Sequence, residues 1–155
     1  MISRDYEELF STLNTHKIKY LVVGAHAVMF YSQPRFTKDL DVWIPAALND
    51  PQRVYEALKA FGAPFRGMRP EDFQDPKVFL QIGVAPVRID ILVGLHGVSA
   101  EEAWKRRRRS RYGNVPIHIL GFADLIKAKK ASGRPQDKLD LAKLFKKPRR
   151  WERRL

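Results

Sequence analysis

The sequence contains no cysteine, no long hydrophobic run and no excess of acidic residues. Without cysteine, disulfides and thiolate zinc sites are excluded, and a reducing compartment suits such a chain. No segment approaches the roughly 20 apolar residues of a membrane-spanning helix, and the acidic, amphipathic start M-I-S-R-D-Y-E-E-L-F lacks the apolar centre of a signal peptide. We therefore predict a cytoplasmic protein with no membrane partner.

Basic residues dominate the charge of the chain. Its 155 residues include 29 Lys and Arg against 17 Asp and Glu, which gives a formal charge of +12. Such a charge favours a polyanionic partner such as RNA, DNA or nucleotide phosphate, although it could also serve solubility alone. The length predicts one domain over residues 1–155, with an α/β core over 1–119 and C-terminal helices and a basic tail over 120–155.

Hydrophobic periodicity, capping residues and turn residues predict the order of helices and strands. Helices are expected at 3–15, 25–31, 51–61, from residue 99 onward, at 121–131 and at 135–145, and strands at 18–23, 39–44, 78–82, 87–92 and 115–119. The strands at 78–82 and 87–92 are separated by a short turn and should form an antiparallel hairpin. This order predicts a mixed β-sheet flanked by helices, with a C-terminal helical pair, in an α+β or mixed α/β fold.

The stretch from Tyr20 to Ile44 organises the chain. Its first apolar run ends abruptly at Gly24-Ala25, after which a helix is predicted. Gly24 permits a tight turn, and the small side chain of Ala25 lets a ligand approach the helix N-terminus. Free N–H groups and the helix dipole favour an anion such as phosphate at that point.

Two carboxylates, Asp39 and Asp41, follow on the next predicted strand. Because side chains alternate along a strand, both lie on one face, where they could hold a divalent cation. Arg88 and Asp90 share a face of a later strand in the same way. The alternatives are that Asp39 and Asp41 are exposed acids paired with Lys38 and Arg35, and that Asp90 is a surface acid bridged to Arg88.

The densest charge run follows Trp104 and ends before Tyr112. We expect the helix that begins at Ser99 to continue into it. Two interpretations are open, phosphate contacts with tRNA or another structured RNA and a solvated helix face. The candidate nucleic-acid-binding residues are Lys105, Arg106, Arg107, Arg108, Arg109 and Arg111.

These motifs together resemble the nucleotidyltransferase (polymerase β-like) superfamily. The resemblance rests on Gly24-Ala25 before a helix, on Arg35-Phe36-Thr37-Lys38-Asp39-Leu40-Asp41-Val42, and on Asp90 in a later strand. The R-x-T-x-D-h-D-h spacing and the late segment with Asp124, Lys129, Gly133-Arg134-Pro135 and Asp137 are similar to AbiEii-type and related minimal nucleotidyltransferases. Those enzymes belong to bacterial toxin–antitoxin and phage-defence systems, and the match covers residues 20 to about 144.

The resemblance implies roles for individual residues. Asp39, Asp41 and Asp90 would hold Mg²⁺ or Mn²⁺, and Asp90 would also help to deprotonate an attacking hydroxyl. In such chemistry the ions stabilise the entering and leaving oxygens at phosphorus. The residues expected at the nucleotide phosphates are Gly24, Ala25, His26, Arg35, Lys38 and Arg88. Phosphate or structural roles are implied for Lys129 and Asp137, and packing beside the turn is the alternative for His26.

The implied activity is transfer of an NMP group from an NTP to a hydroxyl of RNA or protein. A role as a toxin, with a cognate antitoxin as partner, also follows from the resemblance. One departure is Ala25, since the family usually has Gly or Ser there and Ala offers no hydroxyl to a phosphate. A catalytically inactive RNA- or partner-binding protein and a small-molecule adenylyltransferase of the aminoglycoside type are the alternatives.

Overall fold

Six strands form one mixed sheet in the computed structural model, which describes residues 2–33, 39–84 and 87–146. Their spatial order is β3-β4-β2-β1-β6-β5. The pairs β2/β4 and β1/β6 are parallel, and the other neighbours are antiparallel. The strands are β1 (Leu21–Val23), β2 (Asp39–Trp43), β3 (Phe79–Ile82), β4 (Arg88–Leu92), β5 (Arg108–Tyr112) and β6 (Val115–Ile119).

Helices precede, interrupt and follow the sheet, which confirms the predicted mixed fold. They are α1 (Arg4–Thr15), α2 (Gly24–Tyr31), α3 (Pro51–Phe61), α4 (Ala100–Lys105), α5 (Phe122–Ser132) and α6 (Pro135–Lys146), with short 3-10 turns at Ala46–Leu48 and Pro70–Gln74. Side chains cap two of these helices, because Ser3 and Asp50 accept from backbone N–H groups at the starts of α1 and α3. Nowhere in the described ranges is a helix long and apolar enough to cross a membrane.

The alternation of side chains divides the central strands into two faces. Leu40, Val42, Ile89 and Ile91 are buried in the core on one face. The polar residues between them therefore lie together on the other face. The predicted hairpin of β3 and β4 is confirmed, while Ala85 and Pro86 of its connection lie outside the described residues.

The structure corrects the prediction for the basic run. The helix from Ser99 does not continue through it, since α4 ends at Lys105 and β5 begins at Arg108. The Gly113-Asn114 turn folds this segment back, so that β5 pairs with β6 along its whole length, from Arg108 opposite Ile119 to Tyr112 opposite Val115. Backbone pairing at the sheet edge thus outweighs the helical tendency of the arginines.

Candidate active site

The register between β2 and β4 brings the predicted acids together. Asp41 lies opposite Asp90, and Asp39 lies opposite Arg88, on adjacent parallel strands. Neighbouring strands are about 4.8 Å apart, so the side chains on this face are direct neighbours. Asp39, Asp41 and Asp90 therefore lie on one face of the sheet. Val23 pairs with Asp41, which places the turn at Gly24 beside these acids.

Arg88 occupies the space between two of these carboxylates. Its Nε and Nη2 donate to Oδ1 and Oδ2 of Asp90, each at 3.0 Å. The same Nε lies 3.7 Å from Oδ1 of Asp39. The structure shows the Arg88–Asp90 pairing that the alternative named, but Asp90 is buried and is not a surface acid. Arg88 balances part of the charge of the three carboxylates.

Asp41 is strongly affected by its surroundings. Burial, followed by the nearby charges of Asp90 and Asp39, raises the pKa of Asp41 to about 6. Lys129 and Arg134 act in the opposite direction. A cation bound beside Asp41 would relieve this repulsion.

The turn at Gly24 packs directly against the side chain of Asp41. Gly24 has φ +64°, and a Cβ at this position would collide with the carboxylate of Asp41. The helix that starts here, α2, has no side-chain cap at its N-terminus, where Val23 is the capping residue. The absence of a Cβ therefore lets the carboxylate lie directly against the first turn of α2, close to Ala25.

Two aromatic side chains pack beside this turn. The rings of His26 and Tyr6 meet edge to face with centroids 5.7 Å apart. Nε2 of His26 is buried and has no hydrogen-bond partner within the described ranges, and burial lowers the pKa of His26. Tyr6 lies on the buried face of α1, and its hydroxyl donates to the carbonyl of Arg88 at 3.2 Å. Burial raises the pKa of Tyr6 to about 12, followed by the effects of Tyr112, Asp39 and Asp41.

The two C-terminal helices are joined by buried charges. Nζ of Lys129 lies 3.0 Å from Oδ1 of Asp137 and 3.1 Å from Oδ2 of Asp140, and both aspartates are fully buried. Nε of Arg134 donates to Oδ2 of Asp137 at 2.9 Å. Burial alone would raise the pKa of Asp137, but hydrogen bonds from Arg134, Ser132 and Lys129 outweigh it and hold that pKa well below its usual range.

This cluster favours the structural role for Lys129 and Asp137, because the two side chains pair across α5 and α6 and Arg134 donates further hydrogen bonds to Asp137. Sequence reasoning missed Asp140 as a member. Its position three residues after Asp137 on the same face of α6 was the available signal.

Residues of the basic run have different surroundings. Nε and Nη2 of Arg106 donate to the buried carboxylate of Asp124 at 3.1 and 2.8 Å, and Arg107 lies 3.8 Å over the ring of Trp104. Lys105, Arg109 and Arg111 are exposed, and Arg108 is half-buried in β5. Nucleic-acid binding by this segment stays a prediction.

Some predicted residues cannot be located. Arg35 and Lys38 lie outside the described residues, as do the other members of the R-x-T-x segment before Asp39 and the tail at 147–155. Across the ranges that are described, no three His, Cys, Asp or Glu side chains are already grouped to hold a metal ion. Asp39, Asp41 and Asp90 offer the oxygen donors that Mg²⁺ or Mn²⁺ prefers, and the carboxylate of Asp90 is turned toward Arg88.

Comparison with known proteins assigns the family. Residues 1–145 match the family described as "Nucleotidyltransferase of unknown function (DUF6036)". The chain belongs to this nucleotidyltransferase family. The predicted superfamily is confirmed, and an NTP is the substrate that membership implies. The comparison with curated proteins finds no match to the sequence.

Solved nucleotidyltransferase structures share the fold at low sequence identity. A candidate nucleotidyltransferase from Thermotoga maritima has 16% identity and a TM-score of 0.57, with 100% of this chain and 97% of that chain covered. The lincosamide antibiotic adenylyltransferase LnuA, bound to lincomycin, has 14% identity and a TM-score of 0.54, with 94% and 98% covered. An antigenic nucleotidyltransferase-like protein from Paracoccidioides brasiliensis has 14% identity and a TM-score of 0.51, with 92% and 75% covered.

Proposed function

We propose that this nucleotidyltransferase moves an NMP group from an NTP to a hydroxyl of RNA or protein, with Mg²⁺ or Mn²⁺ as cofactor. The observation that supports this most is the register that sets Asp41 beside Asp90, next to the Gly24 turn. Three carboxylates on one face are unfavourable by themselves, and the guanidinium of Arg88 brings a single positive charge to them. A divalent ion and the phosphates it accompanies would complete the charge balance.

In this mechanism the residues of the chain bind phosphate, neutralise charge and accept a proton. Asp39 and Asp41 would hold the ion, and Asp90 would join them when Arg88 turns away. The chemistry that the ion supplies is neutralisation of charge on the phosphate oxygens. The N–H groups at the start of α2 donate to the triphosphate, and Arg88, released from Asp90, neutralises a further phosphate oxygen.

The transfer step itself forms one bond and breaks one. The acceptor hydroxyl oxygen attacks the α-phosphorus, the bond to the β-phosphate breaks, and pyrophosphate leaves. Asp90 accepts the proton of the hydroxyl at a carboxylate oxygen. In this proposal Asp39 and Asp41 share the task of holding the ion, and Asp90 also accepts the proton.

The decisive experiment incubates the protein with each labelled NTP, Mg²⁺ or Mn²⁺, and either total tRNA or a protein extract. Label on the RNA or the protein identifies the acceptor, and Asp39→Asn and Asp41→Asn should each abolish it. The alternative is a catalytically inactive protein of this fold that binds RNA or a partner. Ala25 and the Arg88–Asp90 pair favour it, and absence of label with every NTP and acceptor would establish it over the transferase.

We also propose, from the resemblance to AbiEii-type enzymes, that the activity serves a toxin with a cognate antitoxin. Expression should then arrest bacterial growth, and Asp41→Asn should relieve the arrest. Growth arrest that persists in this variant would show that toxicity does not come from nucleotidyl transfer.

A further inference from the structure

A hollow of about 670 Å³ lies between the C-terminal end of α1 and strand β6. We call it the aromatic hollow, because Trp104 and His118 line it with rings 5.0 Å apart. Lys17 and Lys19 lie on its wall, and Nζ of Lys19 is 5.8 Å from the centre of the Trp104 ring. The hollow therefore combines ring surface with positive charge.

A second hollow of about 360 Å³ adjoins it. Its lining consists of Lys105, Arg107, Arg108 and Arg109, and we call it the arginine hollow. Arg107 connects the two, because its guanidinium covers the Trp104 ring at 3.8 Å and its Nε donates to Nδ1 of His118 at 3.2 Å. No carboxylate is found among the described residues that line either hollow.

Lys17 holds a backbone conformation that does not suit lysine. It follows the end of α1 with φ +57°, and the bonds Lys17 N–H to Asn14 O and Ile18 N–H to Leu13 O form a Schellman motif. Glycine is the usual residue at this position, and a side chain there costs stability. Lysine at the rim of the aromatic hollow thus carries a structural cost that a binding role would explain.

His118 offers a neutral ring at physiological pH. Burial, followed by the charges of Arg107 and Arg109, lowers the pKa of His118 to about 4. Because Nε of Arg107 can only donate, Nδ1 of His118 accepts, and the ring proton belongs to Nε2. An imidazole in this form can donate a hydrogen bond to a base.

We propose that the two hollows bind a single-stranded nucleic acid, with an unstacked base against the Arg107 guanidinium that covers Trp104, beside His118, and phosphates on the surrounding cations. Ring surfaces and cationic grooves are what single strands recognise, and a duplex keeps its bases stacked inside. RNA and DNA both carry the bases and phosphates that this site would contact, and the experiment below distinguishes between them.

This site is separate from the carboxylates. Lys19 precedes β1 and Gly24 follows it, so about 16 Å of extended chain lies between them. The bound segment is thus a part of the acceptor away from the reacting hydroxyl. The inference rests on the proposed function only in identifying the bound nucleic acid with the acceptor of the NMP group. Binding itself needs neither NTP nor a metal ion.

The test measures fluorescence anisotropy of a labelled single-stranded RNA, the same sequence as DNA, and an RNA duplex, at several salt concentrations. The wild type should prefer a single strand to the duplex. Lys17→Gly combined with Lys19→Gln should weaken binding by tenfold or more and reduce the salt slope by about 1.4, or about 0.7 for each lysine that no longer meets a phosphate. Lys17→Gly alone should raise Tm, because glycine relieves the backbone strain, and it should also weaken binding. If Lys17 were purely structural, binding would not change.

Lys143→Gln is the matched control, because it removes a positive charge from the exposed face of α6, which lines neither hollow. Asp41→Asn should retain binding while losing transfer, which separates this inference from the proposed function. The inference is overturned if Lys143→Gln weakens binding as much as a single change at Lys17 or Lys19. It is also overturned if the duplex binds as tightly as the single strands, or if the wild type binds no single strand.

Discussion

Arg88 donates two hydrogen bonds of 3.0 Å to Asp90, its neighbour on the same face of β4. The guanidinium thus occupies the space where a cation would contact Asp90. A guanidinium and a divalent ion cannot both take the same carboxylate oxygens. If the proposed ion binds at Asp90, Arg88 must therefore release that carboxylate in the same event.

Replacing Arg88 with alanine should tighten Mn²⁺ binding by about tenfold, because the competing cation is gone. The same change should raise the KM for NTP, since Arg88 would no longer neutralise a phosphate. Electron paramagnetic resonance of free Mn²⁺ measures the first effect and transfer kinetics the second. Arg53→Ala, at an exposed position of α3, is the control, and unchanged Mn²⁺ affinity in Arg88→Ala would contradict the competition.

Replacing Asp41 with asparagine should stabilise the protein while removing activity. The folded-state pKa of about 6 lies above the reference value of 3.8, so folding favours the protonated form. The stability from that proton is present below about pH 4 and is lost as pH rises through about 6. At pH 7 the charged form thus costs up to about 3 kcal/mol, at about 1.4 kcal/mol per unit, and asparagine removes this cost.

Thermal unfolding at pH 7 without divalent ions checks this, with the exposed Glu8→Gln as control. A lower Tm in Asp41→Asn would contradict the strain assigned to this carboxylate. In the wild type, Mn²⁺ binding should weaken as pH falls below about 6, because Asp41 becomes protonated.

Replacing Gly24 with alanine should cost more than the same change at Gly62. Both residues have positive φ, at +64° and +96°, but a Cβ at Gly62 meets open space, whereas at Gly24 it meets Asp41. Gly62→Ala should therefore cost about 1 kcal/mol of backbone strain, and Gly24→Ala at least about twice that. Urea unfolding gives the difference, and equal costs would show that the carboxylate of Asp41 does not press on this turn.

Replacing Lys129 with methionine should destabilise the protein by about 3–5 kcal/mol, because two buried carboxylates lose their shared partner. Lys130→Met, at the adjacent exposed position, should change stability by less than about 0.5 kcal/mol. Adding Asp137→Asn and Asp140→Asn to Lys129→Met should recover part of the loss. Equal effects of Lys129→Met and Lys130→Met in chemical denaturation would argue against the buried cluster.

Residues close together in the sequence were enough to predict the helix ends and the polar face of the central strands. Ser3, Asp50 and Gly62 mark helix ends through contacts within a few residues, and the alternation around Asp39 and Asp90 predicts the polar face. The strand from Arg108 to Tyr112 was missed because its pairing with β6, and not its own residues, makes it a strand. The role of Tyr6 beside Arg88 depends on a contact between distant segments, which spacing does not encode. For the ion pair of Lys129 with Asp140, the spacing of Asp140 from Asp137 on α6 was an available signal.

The parallel pairing of β2 with β4 has a consequence for how this enzyme family can change. A deletion of one residue within β4 would turn the strand over, sending an acid into the apolar interior and an isoleucine to the surface where phosphate chemistry is proposed. Length changes in the connection at 83–87 do not alter which face of the sheet each side chain of β4 occupies. Natural or engineered variants should therefore tolerate insertions in that connection and none a few residues later.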